Sequence, residues 1–176
     1  MEIIPVEVNE KEEEVRRLSI NDFTDPDGLI RFPEGTHIKI KVSNPGILPA
    51  YFTLIDIEPY QRFTIVAPEE GSSETAEEYR IAPGAKLEIP KVFRVAPPYG
   101  QEMFKLIYTR NPIDLRSIKA SNGAIRRGMA NATSLEKLFS DSFFTEELQS
   151  RGGQTTRTSP GEMGVFSLNF MIEPKG

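Results

Sequence analysis

Thr36-His37-Ile38-Lys39-Ile40-Lys41-Val42 alternates without a break. A period of two puts Ile38, Ile40 and Val42 on one face and His37, Lys39 and Lys41 on the other. That is the pattern of a half-buried β-strand. Asn44-Pro45-Gly46 ends it with three turn residues. Further on, Ala50 to Glu58 is apolar on both parities. Tyr51, Ile55 and Ile57 share one face, and Phe52 and Leu54 the other. A strand of this kind is central and covered on two sides. Arg62 to Val66 is read as its hairpin partner, with Phe63 and Ile65 inward. Glu102 to Thr109 repeats the two-faced pattern, with Phe104, Leu106 and Tyr108 against Met103 and Ile107. Val165 to Ile172 places Phe166, Leu168, Phe170 and Ile172 on one face.

The weaker segments follow from these. Ile4, Val6 and Val8 suggest an N-terminal strand, with Pro5 pushing it to a sheet edge. The charge run at residues 10–17 is read as a solvated linker or short helical turn. Asp25-Pro26-Asp27-Gly28 is a turn, followed by a short strand from Leu29 to Phe32. Residues 67–77 form a loop, and Glu78 to Ile81 a short strand. Leu87, Ile89, Phe93 and Val95 share a parity interrupted by Pro90, which predicts an edge strand or one that switches sheets. Seven or more short strands between Pro and Gly turns predict a mainly β chain. Its expected fold is a single antiparallel immunoglobulin-like β-sandwich over residues 1–176. The chain has neither Cys nor Trp, so an antibody-type Cys–Trp–Cys core is excluded.

Residues 110–163 form an insertion before the last strand. Thr133-Ser134-Leu135-Glu136 is a capping box. Leu135, Leu138, Phe139 and Phe143 then recur at helical spacing, which predicts an α-helix near 134–149, stopped by Gly152-Gly153. Phe139, Phe143 and Phe144 are expected to pack it onto the sandwich, with an exposed aromatic patch for a partner as the alternative. Residues 150–163 read as a mobile loop.

The 176 residues carry 21 basic and 26 acidic side chains, a net charge of −5. That balance argues against nucleic-acid binding. Without cysteine there is no disulfide, thiolate zinc site or cysteine nucleophile, and a single histidine excludes a His-rich metal site. No apolar run approaches the roughly 20 residues of a membrane span. No secretory leader is visible at Met1 to Glu7, so a cytoplasmic location is favoured.

Few constellations carry chemistry. His37 falls on the outward face of its strand and is read as a surface histidine rather than a triad member. Asp56 and Glu58 share a face. They are read as strand-end acids, Asp56 bonded to turn amides, with an acid–base hydrolase pair as the rival. Asp25 and Asp27 offer hard oxygen ligands but fall far short of a complete calcium loop. No phosphate-binding glycine motif occurs, and no cofactor or metal is expected. Arg116, Lys119, Arg126 and Arg127 lie in a stretch without acids, from Leu115 to Leu135. They form either a docking surface for an acidic partner or a solvated loop paired with Asp114 and Glu136. Tyr60, Tyr79 and Tyr99, near turns, are the candidates for a carbohydrate-binding face.

Several strings together resemble a known family. They are Arg31-Phe32-Pro33-Glu34-Gly35-Thr36, Val42-Ser43-Asn44-Pro45-Gly46 and Tyr51-Phe52-Thr53-Leu54-Ile55-Asp56-Ile57. Glu78-Tyr79-Arg80-Ile81-Ala82-Pro83-Gly84, Pro97-Pro98-Tyr99-Gly100-Gln101-Glu102 and Phe104-Lys105-Leu106-Ile107-Tyr108-Thr109 extend the likeness, with Pro112-Ile113-Asp114-Leu115. The chain resembles a bacterial β-sandwich domain of unknown function found C-terminal to caspase-like (metacaspase-type) peptidase domains. The resemblance covers roughly residues 29–118 and the last strand. It implies a non-catalytic accessory domain whose partner is a protein, such as the adjoining peptidase domain, with the Cys–His dyad upstream. Metacaspase-type enzymes prefer basic residues, so Arg151 and Arg157 become candidate cleavage sites. The alternative is a stand-alone carbohydrate- or ligand-binding module.

Overall fold

The computed structural model describes residues 1–59, 62–116 and 163–176. Among these residues the chain is mainly β. Its strands are β1 (Glu2–Val8), β2 (Glu14–Arg17), β3 (Ile30–Pro33), β4 (His37–Ser43), β5 (Ala50–Ile57) and β6 (Phe63–Ala67). Then come β7 (Arg80–Ile81), β8 (Lys86–Glu88), β9 (Phe93–Arg94), β10 (Gly100–Thr109) and β11 (Met163–Glu173). One sheet runs β2-β1-β4-β8, with β9 also on β4. The other runs β3-β11-β10-β5-β6, with β7 on β5. Pairing is antiparallel except for β3 and β11, which run parallel from Ile30↔Phe170 to Pro33↔Glu173. The predicted helix near 134–149 and the loop after it lie outside the described residues.

Parity decides the packing. Ile38, Ile40 and Val42 of β4 share one core with Phe52 and Leu54 of β5, Phe104 and Leu106 of β10, and Phe170 and Ile172 of β11. Burying each such side chain contributes about 1.5–3 kcal/mol. Phe32, Phe170 and Phe104 form an aromatic chain, with ring centroids 5.8 and 4.9 Å apart. The opposite parity of β5 and β10 is covered too. Ile55, Ile65 and Ile107 pack beneath Ile113 and Leu115. The two-faced strands are therefore central, as their composition dictates. Phe63 and Ile65 join this outer cluster, not the inter-sheet core.

Other expectations need correction. Pro5 is not on a sheet edge, because β1 lies between β2 and β4. Its carbonyl accepts from the Leu18 N–H at 2.8 Å. In an antiparallel strand, the N and O of one residue face the same neighbour. The ring nitrogen therefore points toward the chain just past β2, and no bond to β4 is lost. The charge run is no linker, since its second half is β2, paired with Val6 to Val8 of β1. Charge holds it there. Lys39 bridges Glu14 and Glu88, and Arg17 bridges the same two acids. The stretch about Pro90 is the edge strand expected and not a sheet switch, because β8 and β9 both pair with β4 at the edge of the first sheet. One of the chain's several changes of sheet, from β3 to β4, falls at Pro33-Glu34-Gly35-Thr36, where the Thr36 N–H donates to the Pro33 carbonyl at 3.1 Å. Gly35 has φ of 86°, a conformation that favours glycine.

Candidate functional site: an acidic cleft between the sheets

The parity that buries Phe52 and Leu54 carries on to Asp56. The parity that buries Phe104 and Leu106 runs back to Glu102. Asp56 pairs with Phe104 across β5 and β10. One further step of that register sets Glu102 opposite Glu58. Three acids thus gather where the inter-sheet core opens to solvent. They line a cleft of about 390 Å³ with Val66, Phe93, Phe104 and the Pro97-Pro98 corner. Ile38 and Phe93 bring the first sheet to one wall, and Phe170 and Ile172 bring the second to the other.

The electrostatics are unusual. Asp56 Oδ1 is buried without a hydrogen-bond partner. It is therefore not the amide-bonded strand-end aspartate expected from sequence. Burial, with the Glu58 charge adding to it, pushes the Asp56 carboxyl up to about 7. Glu102 is only 6% exposed, and its carboxylate makes no hydrogen bond or ion pair among the described residues. Burial, then the charges of Asp56 and Glu58, push it up to about 8. Arg94 lines the same cleft without forming an ion pair among the described residues. Burial thus favours the protonated form of Asp56 and Glu102 in a site that gives their carboxyls no hydrogen-bond partner among the described residues.

The other candidate residues are placed differently. Arg116 is taken up inside the chain. It donates to both Asp114 carboxylate oxygens at 2.9 and 2.8 Å, and to the carbonyls of Glu69 at 3.0 Å and Glu74 at 2.8 Å. Lys119, Arg126, Arg127, Arg151 and Arg157 lie outside the described residues, as does Tyr60. Tyr79 is buried, and its hydroxyl donates to Glu74 at 2.7 Å, so it presents no sugar platform. Tyr99 is exposed and donates to Glu34 at 2.6 Å. Asp25 Oδ1 accepts the N–H groups of Asp27 and Leu29, and Oδ2 accepts from Arg31. That aspartate closes a turn. Among the described residues no group of three His, Cys, Asp or Glu could hold a metal, and no helix is long and apolar enough to cross a membrane.

Sequence reasoning paired Asp56 with Glu58 and missed Glu102. The signal was present, since Glu102 shares the parity of Phe104 and Leu106. At the opposite end of the second sheet, Ile47 and Leu48 are exposed beside a groove of about 340 Å³. It lacks the acids. No protein-family model, curated protein or solved structure matches the chain.

Proposed function

We propose that the chain is a non-catalytic interaction module, an immunoglobulin-like sandwich that recognises a protein partner at its cleft end. One observation carries this reading. Asp56, whose Oδ1 is buried without a hydrogen-bond partner, and the largely buried Glu102 line one cleft between apolar walls. Buried polar groups are almost always satisfied, and departures concentrate at functional sites. The resemblance to domains that accompany caspase-like peptidases supports an adjoining peptidase domain as that partner. The test is photo-crosslinking in cells of the source organism. A photoreactive residue replaces Tyr99, beside the Pro97-Pro98 wall. A control replaces Val15 on β2, away from the cleft. The expected result is a discrete adduct from position 99 that is absent from position 15. No adduct, or the same adducts from both, overturns the reading.

A second reading is favoured by the raised carboxyls alone. A protonated acid beside an ionised one suits acid–base hydrolysis. Asp56→Asn with unchanged turnover of glycoside and ester substrates would end it.

A further inference from the structure

We infer that the cleft takes up the guanidinium of an arginine side chain presented by the protein partner. The inference rests on the interaction-module reading and names what is recognised.

Charge complementarity is the first ground. Three acids converge on the cleft, and one basic residue, Arg94, lines it. Arg94 neutralises none of them by an ion pair among the described residues. The nine-tenths-buried Glu102 has unused acceptors there, and so does Asp56. A ligand that brings donors and positive charge satisfies those acceptors and the ionised form of the acids. Among the described residues the acids form no three-ligand group that could hold a metal ion.

The walls are the second ground. Phe93, Phe104, Val66 and the two prolines are apolar. They suit the methylene stem of a long side chain whose charged head lies at the acids. Between the two cationic heads, guanidinium fits better than ammonium. It is planar, sheds water more readily and presents several donors, enough for two carboxylates at once. It also stacks on aromatic faces, and the partly buried Phe93 lines the cleft. The volume of about 390 Å³ lies at the small end of ligand pockets, the scale of one side chain with its flanking backbone.

On entry the cation favours the ionised form of both acids, so protons held by Asp56 and Glu102 pass to solvent.

The test is a titration of the full chain with acetyl-Gly-Arg-Gly-amide and with its citrulline counterpart, which keeps the shape and loses the charge. Amide shifts locate binding, and calorimetry in two buffers of different ionisation heat counts released protons. Shifts are expected around residues 56–58, 92–98 and 102–104. The citrulline peptide should bind about tenfold more weakly or worse, one charge-assisted hydrogen bond's worth. Glu102→Gln and Asp56→Asn should each weaken arginine binding by a similar factor and reduce proton release. Equal binding of both peptides, shifts elsewhere, or no shifts overturns the inference. A crosslinked partner that keeps binding after each of its arginines is replaced overturns arginine recognition alone. No crosslinked partner at all overturns the broader reading.

Discussion

Asp56→Asn separates the cost of ionising the cleft from the cost of packing it. The Asp56 carboxyl moves from an ordinary 3.8 to about 7 in the folded chain. Three groups face it: Glu58 from the end of β5, Glu102 from β10 and Arg94 from β9. The sign follows from linkage. Folded chains hold the proton at pH values where unfolded chains have released it. The stability contribution is therefore complete below the unfolded value and is lost as pH rises through about 7. A shift of about three units at about 1.4 kcal/mol each gives a ceiling near 4 kcal/mol. At about pH 5 roughly one unit is already lost, so the span from there to about pH 9 is about 3 kcal/mol. The figure counts Asp56 alone; the Asp56 charge also raises Glu102, so removing it adds to the gain rather than subtracting from it. Asparagine keeps the shape and cannot ionise. Whatever it costs in packing or hydrogen bonding is the same at both pH values and cancels in the difference. Urea denaturation of both proteins at the two pH values measures it. The variant should gain about 3 kcal/mol on the wild type between about pH 5 and about pH 9. A difference that does not change with pH would refute the burial of an ionisable Asp56. A change of opposite sign would mean that a cation already pairs with it.

Two further predictions rest on separate features. Gly100 opens β10 at φ of 131°, and a Cβ there would lie 3.3 Å from the Pro59 ring. Gly100→Ala should cost about 1–3 kcal/mol in urea denaturation, and no loss would mean the corner is relaxed. Arg116 ties Asp114 to the carbonyls of Glu69 and Glu74, and lysine cannot reproduce that fork. Arg116→Lys should cost about 1–3 kcal/mol and speed hydrogen exchange at residues 69–74. A neutral result would return Arg116 to the docking surface that its sequence context suggested.

The strands that could be read from sequence are those whose parity has one physical cause. β4 alternates because one face is core. β5 and β10 do not, because Ile55 and Ile107 have a second cluster to bury. Hidden features depend on distant residues. β2 looks like a linker because its stabilisers, Lys39 and Glu88, lie on other strands. The parallel pairing of β3 with β11 joins segments about 140 residues apart, and local pattern cannot see it. Glu102 was obscured differently. A polar residue at the start of a strand is ordinarily solvated. Only the register Phe104↔Asp56 shows that it meets two other acids.

That register also bears on what the cleft is for. Strand parity forces positions 56 and 102 toward the core, so their side chains cannot turn to solvent without breaking the alternation that buries Phe52, Leu54, Phe104 and Leu106. An apolar pair at these positions would close the open end of the core and remove the ionisation cost. The acids instead line the open end, with walls that suit a hydrocarbon stem and acceptors that suit a cation. Lys39 shows the contrast. On the outer face of the first sheet, every nearby acid is paired with a base. In the cleft Arg94 is at hand, yet the acids remain unpaired among the described residues. The fold pairs Glu14 and Glu88 with bases on one face and leaves Asp56 and Glu102 unpaired in a concave site, the contrast from which cation recognition is proposed.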